Sequence, residues 1–65
     1  MIVVNDEPRP WRDHLTVLDV VRDLDPTLPI AVVRLNGRHL SRADWDATAV
    51  RDGDEIRVVW IIAGG

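Results

Sequence analysis

TVLDVVRDLDP, residues 16–26, is the stretch on which the fold turns. Val17, Val20, Val21 and Leu24 recur at i, i+3, i+4 and i+7, the spacing of a single apolar stripe on a helix. Thr16 followed three residues later by Asp19 is a capping pair, so the helix opens there. Pro26 closes it, because its ring removes an amide donor and drives Asp25 out of helical angles. One helix of about nine residues is expected, with Asp19, Arg22 and Asp23 facing water.

On either side of this helix the pattern shortens to period two. Upstream, MIVVND places Ile2 and Val4 on one face of a strand and Val3 and Asn5 on the other. DEPRP is expected to turn the chain into a poorer second strand, WRDHL, with Trp11 and Leu15 as its apolar members. Pro8 and Pro10 confine this arm to an edge or a turn. Downstream, PIAVVRLNGRHL contains Asn36-Gly37, the strongest short hairpin signal, because a type I′ turn demands positive φ at both positions. It predicts a strand over 30–35 and a short return over 38–40. Ser41 is placed to cap a short helical turn that carries Trp45 inward. RDGD is a tight turn with Gly53 at the positive-φ position.

The last strand, EIRVVWII, alternates Ile56, Val58, Trp60 and Ile62 against Glu55, Arg57, Val59 and Ile61. Its second half has no polar face. Either the strand is covered on both sides, or Val59 and Ile61, joined by Val3, form an apolar patch on the open face of the sheet. The element order β-β-α-β-β, turn, β fits an α+β domain in which one helix packs on one face of a mixed four- to five-stranded sheet. One helix covers one face. The other is left for a partner.

Composition narrows the function classes. A chain of 65 residues with 29% charged side chains is one small globule. A net charge of -3, with Arg and acidic residues interspersed, argues against non-specific nucleic-acid binding. No window approaches the roughly 18 apolar residues of a membrane span, and acids stand where a signal peptide carries positive charge, so a cytoplasmic location is expected. Cysteine is absent, which removes disulfides and a thiol nucleophile. Lysine is absent too, which codon bias or the avoidance of amines near a reactive terminus would each explain.

Side chains offer little chemistry. His14 and His39 stand 25 residues apart with no metal-ligand spacing, and Asp52-Gly53-Asp54 lacks the ligand series of a calcium loop. Ser41 has no base partner in the sequence. No metal site or cofactor is expected.

What remains is the end of the chain, WIIAGG, residues 60–65. Glycine at 64 and 65 lets a backbone enter a channel too narrow for side chains. At about 3.3 to 3.6 Å per extended residue, Ile62, Ala63, Gly64 and Gly65 would reach roughly 13 Å beyond the sheet. Ordering four residues costs on the order of 4 to 8 kcal/mol, and glycines bury no apolar surface to offset it. The body must therefore dock as well, with Val59, Trp60 and Ile61 beside the tail and Val3 on the neighbouring strand as the candidate surface. The expected organisation is a folded body over 1–61 and a flexible arm over 62–65.

Across essentially its whole length the chain resembles the ubiquitin-like β-grasp sulfur carriers of bacteria, the ThiS/MoaD family, and most closely its thiamin-biosynthesis branch. The resemblance rests on Asn5-Asp6 after the first strand, Thr16-Val17 opening the helix, Leu35-Asn36, SRADW with Arg42 and Trp45, DGDEI at 52–56, and the terminal IAGG. Trp11, Trp60 and the EPRP segment depart from that pattern. The resemblance implies a protein cosubstrate, not an enzyme. An E1-like adenylyltransferase of the ThiF type would convert the Gly65 carboxylate to an acyl adenylate, and a cysteine desulfurase persulfide relay would supply sulfur to form a thiocarboxylate. A thiazole synthase of the ThiG type would take that sulfur. Other readings are a carrier for molybdopterin, cysteine or tRNA thiolation, a lysine-linked modifier, or a non-catalytic β-grasp interaction module.

Overall fold

The computed structural model describes residues 1–24 and 30–60, with the side chains of residues 30 and 31 left aside. Five strands, β1 (Ile2–Val4), β2 (Glu7–Arg9), β3 (Ile30–Leu35), β4 (Arg38–Leu40) and β5 (Glu55–Trp60), form one sheet in the order β2-β1-β5-β3-β4. β1 and β5 run parallel at its centre, and the other neighbours are antiparallel. The last strand is thus inserted beside the first, which makes the two ends of the chain interdependent.

The helix, α1 (Val17–Asp23), has seven residues between the caps Thr16 and Leu24. So short a helix does not persist alone in water and depends on packing. Val17, Val20 and Val21 are buried against Ile2, Val4, Val33, Ile56 and Val58 from the sheet, joined by Leu15, Trp45 and Val50. Arg22 and Asp23 face solvent as expected, and Asp19 is half-buried. The proposed stop at Asp25-Pro26 lies outside the described residues.

The capping pair closes in both directions. The Asp19 amide donates to Thr16 Oγ1 at 3.2 Å, and the Thr16 amide donates to Asp19 Oδ2 at 3.0 Å. The hydrogen bonds from Thr16 lower the Asp19 carboxyl below its ordinary range, with weaker help from the charges of Arg12 and Arg22 and partial opposition from desolvation. A carboxyl lowered in the folded state stabilises fully above its unfolded pKa and loses that contribution as the pH falls through the folded value. Loss of the Thr16 hydroxyl that caps the helix, in Thr16→Ala, is expected to cost about 1 kcal/mol at neutral pH. Its melting temperature should also fall less than the wild type's on acidification through the aspartate range, which thermal melts across pH would read.

The N-terminal hairpin corrects the sequence reading. The second strand is Glu7–Arg9, not WRDHL, and the turn is the two residues Asn5 and Asp6 at φ 50° and 69°. Two successive positive-φ residues make a tight type I′ loop whose twist matches the strands, and Asn and Asp tolerate that conformation. The register pairs Val4 with Glu7, Val3 with Pro8 and Ile2 with Arg9. The Val3 and Asn5 amides donate across to Asp54 and Ile56 in the other direction, so Pro8, opposite Val3, sits where its missing amide would have pointed out of the sheet. As expected, the prolines mark an edge.

Trp11 and Leu15 serve the core from a non-strand segment that runs antiparallel to residues 48–50. The Trp11 indole N–H donates to the Val50 carbonyl at 2.8 Å, the Val50 amide to Leu15 at 2.8 Å and the Val17 amide to Thr48 at 3.0 Å. The second hairpin matches its reading, with Asn36 and Gly37 at φ 52° and 82°. Ser41 precedes a single 3-10 turn, Arg42–Asp44, but its hydroxyl makes no capping bond; its carbonyl accepts from the Asp44 amide at 2.9 Å instead. Trp45 is buried as expected, its indole donating to Leu40 at 3.3 Å with the Arg42 guanidinium over the ring. Gly53, at φ 93°, closes the turn before β5.

Candidate functional site

β5 is the element that leads toward residues 61–65, and it is held unusually well. Its ladder to β1 pairs Val3 with Glu55 and Val4 with Ile56, and its ladder to β3 runs from Leu35 opposite Ile56 to Ile30 opposite Trp60, with an irregularity between Ile30 and Val32. Where β1 ends, the Asn5 side chain takes over. Its Oδ1 accepts from the Val58 amide at 2.8 Å and its Nδ2 donates to the Val58 carbonyl at 3.2 Å, imitating the next residue of a strand. Beside it, Arg57 donates to both carboxylate oxygens of Asp6, at 3.1 and 3.3 Å. On the other side the Glu55 amide donates to Asn36 Oδ1 at 2.9 Å. Both hairpin turns thus clamp β5 through the asparagines that their positive φ requires.

Ile56 and Val58 point into the core, and Trp60, on the same side of the strand, is half-buried against it. The other side bears Glu55, Arg57 and Val59, all exposed, on a sheet face that α1 does not cover. Among the described residues, Val59, at 47% exposure, is the large apolar side chain that this face exposes to solvent.

The residues chosen from sequence are only partly brought together. Val3 and Val59 share the open face, but Val3 stands opposite Glu55, four residues from Val59 along β5. At about 3.3 Å per residue that separation is roughly 13 Å, and Arg57 lies between. Trp60 belongs to the core side, so it supports the strand from behind. Ile61, Ile62, Ala63, Gly64 and Gly65 lie outside the described residues, as does the boundary between body and tail. The neighbour of Val59 is Val32, and next along lie Arg34 and His39, none of which was singled out from sequence. Alternation within β3 places Val32 and Arg34 on one face, but their juxtaposition with β5 depends on a pairing across more than twenty residues.

Among the described residues no three His, Cys, Asp or Glu side chains group as metal ligands, and no helix is long and apolar enough to cross a membrane. On the helix side, a concavity of about 320 Å³ opens between Arg9, Trp11, Arg12, Leu15 and Val20, and the Arg9 Nε there is buried without a hydrogen-bond partner.

A mixed sheet in the order 2-1-5-3-4 holding one helix, with the first and last strands parallel at its centre, defines the ubiquitin-like β-grasp class. The crystal structure of the thiamine biosynthesis protein ThiS from Geobacter metallireducens matches this architecture with a TM-score of 0.76 at 31% identity, over 98% of this chain and 97% of that one. The chain belongs to the ThiS family, whose model matches residues 2–65. It is also 31% identical over 64 residues to the sulfur carrier protein ThiS of Escherichia coli (strain K12), covering 98% of this chain and 97% of that protein.

Proposed function

We propose that this chain is a sulfur carrier protein that supplies sulfur for thiazole formation in thiamin biosynthesis. The observation that carries the reading is the span of the family match, which runs through Gly64 and Gly65 and takes in nearly the whole of a named sulfur carrier. In this reading the protein is a cosubstrate, with residues 1–61 as the docking body and 62–65 as the arm. A Gly65 carboxylate oxygen attacks the α-phosphate of ATP on an E1-like adenylyltransferase of the ThiF type, and pyrophosphate leaves. Adenylation is needed because a carboxylate expels oxide so poorly, whereas AMP is a good leaving group. A persulfide sulfur from a cysteine desulfurase relay then displaces AMP to give an acyl disulfide, and attack of a second relay thiol on the outer sulfur releases a Gly65 thiocarboxylate and leaves the relay as a disulfide. A thiazole synthase of the ThiG type consumes it. A cytoplasmic location, where ATP is available, belongs to this reading.

The structure bears on this through β5. A strand clamped from Glu55 to Val58 delivers the following residues from a fixed origin, so that a docked partner meets the arm in one place. Val59 lies beside that origin on the open face.

The test is intact-mass analysis after incubation with ATP, the adenylyltransferase and a sulfur source. A single oxygen-for-sulfur exchange confined to the C-terminal peptide is the expected result. An unchanged C-terminal peptide, or a branched peptide on a lysine of another protein, would replace the carrier reading.

A further inference from the structure

The chain has two side-chain amides, Asn5 and Asn36, and of these only Asn36 is followed by glycine. That dipeptide is chemically fragile, because the Gly37 amide nitrogen can attack the Asn36 Cγ carbon and glycine carries no side chain to shield it. The turn between β3 and β4 presents both residues to solvent, at φ 52° and 82°. Among the described residues nothing lies within 4 Å of the place that a Gly37 Cβ would take. Against this openness, the Asn36 carboxamide is tied down at both ends. Its Oδ1 accepts from the Glu55 amide at 2.9 Å, and its Nδ2 donates to Asp54 Oδ1 at 3.0 Å. The Asn36 amide itself donates to the Glu55 carbonyl at 2.8 Å, and Asp54 is fixed in turn by the Arg51 amide, which donates to its Oδ2 at 2.8 Å. Asn5 is held in a comparable way by Val58, but the nitrogen that follows it belongs to Asp6 and is crowded by a side chain.

We propose that Asn36 is a latent site of spontaneous deamidation, with its bonds to Asp54 and Glu55 as the brake and local release of the turn from β5 as the trigger. Once the turn opens, the Gly37 nitrogen bonds to Asn36 Cγ, the Cγ–Nδ2 bond breaks, and ammonia leaves with the proton that the Gly37 amide gives up. The succinimide so formed takes up one water at either carbonyl, which yields aspartate or isoaspartate at position 36. Water is the only reagent consumed. The change locks itself in. A carboxylate oxygen replaces the donor that faced Asp54, so two like charges now meet where a hydrogen bond stood. The isoaspartyl form also adds a carbon to the backbone of a two-residue turn whose length fixes the register of β3 against β4. The turn then cannot close on β5 as before, and the strand that leads toward residues 61–65 loses its fastening at Glu55.

The experiment incubates the folded wild type, the wild type unfolded in urea, and Asp54→Ala in mildly alkaline buffer, and follows conversion of amide to acid by mass spectrometry. Cleavage after Arg34 and Arg38 isolates Asn36 on a short peptide, separate from Asn5. The unfolded chain should convert at Asn36 at least about tenfold faster than the folded one, with Asp54→Ala between them, while Asn5 stays intact over the same period. Carboxyl methylation by a protein isoaspartyl methyltransferase should label the converted chain. Asn36→Asp, which keeps the positive-φ turn but not the donor, should melt below the wild type. Equal rates in the folded and unfolded wild type would show that there is no brake, and equal, slow conversion of Asn5 and Asn36 in urea would show that there is no site. A folded Asp54→Ala that converts at the wild-type rate would remove the carboxylate from the brake. Should Asp54→Ala not fold, the wild type in sub-denaturing urea decides: conversion that rises before global unfolding supports a local trigger, and conversion that stays flat until the global transition overturns it.

Discussion

Deletion of Gly65 is expected to reduce ATP-dependent sulfur loading to background while leaving the melting curve of the protein unchanged. The shortened chain still ends in a carboxylate on glycine, so its intrinsic reactivity is kept. What changes is reach: the carboxylate is withdrawn by about 3.5 Å, the length of one extended residue. A misplacement of about 1 Å already costs on the order of a hundredfold in a positioned reaction. The strand clamps cannot compensate, because Asn5 holds Val58 and Asp6 holds Arg57 whatever follows them. Stability should not move, since the buried residues described run from Ile2 to Val58. Intact-mass spectrometry with circular-dichroism melts reads both halves, and loading that survives the deletion would remove Gly65 from the mechanism.

The largest stability effect is expected at the other end of the same strand. Ile56 is completely buried, paired with Val4 of β1 on one side and Leu35 of β3 on the other. Ile56→Ala removes its apolar volume where the surrounding valines, stiff at χ1, are poorly able to collapse. A loss of about 2 to 5 kcal/mol follows from such truncations. A domain of 65 residues has only about 3 to 10 kcal/mol in total, at roughly 0.05 to 0.15 kcal/mol per residue. At about 4 to 8 °C per kcal/mol, the melting temperature should fall by about 8 to 40 °C or the protein should not fold at all. Val59→Ala, three residues on and facing solvent, should stay within about 0.5 kcal/mol. Urea unfolding of the pair checks which face of β5 is core, and equal losses would contradict the assignment.

Local chemistry accounts for the parts of the fold that were legible. The helix was readable because its stripe and its cap lie within nine residues, 16–24, and the capping box formed as the Thr16-Asp19 spacing implied. Asn36-Gly37 and Gly53 were readable because positive φ restricts residue choice so strongly. The same restriction applies at Asn5-Asp6, but the prolines that follow are a competing turn signal, and they displace the expected second strand to the apolar WRDHL. Trp11 and Leu15 are apolar because the segment packs on residues 45–50, which alternation alone does not distinguish from a strand.

The site divides along the same line. That Val59 lies on the opposite side of the strand from Ile56 and Val58 follows from the period of two in EIRVVW, a property of adjacent residues, whereas its exposure on that side is decided by the packing. That Val3 is held about 13 Å from Val59, that Arg34 is set against Arg57 and His39, and that two turn asparagines clamp the final strand follow from strand order and register. Those are decided by which strand pairs with which across the chain. A slip of one residue leaves every local preference nearly intact and moves every cross-strand neighbour, so only the packed core, by demanding Ile2, Val4, Val33, Ile56 and Val58 on one side together, selects the arrangement.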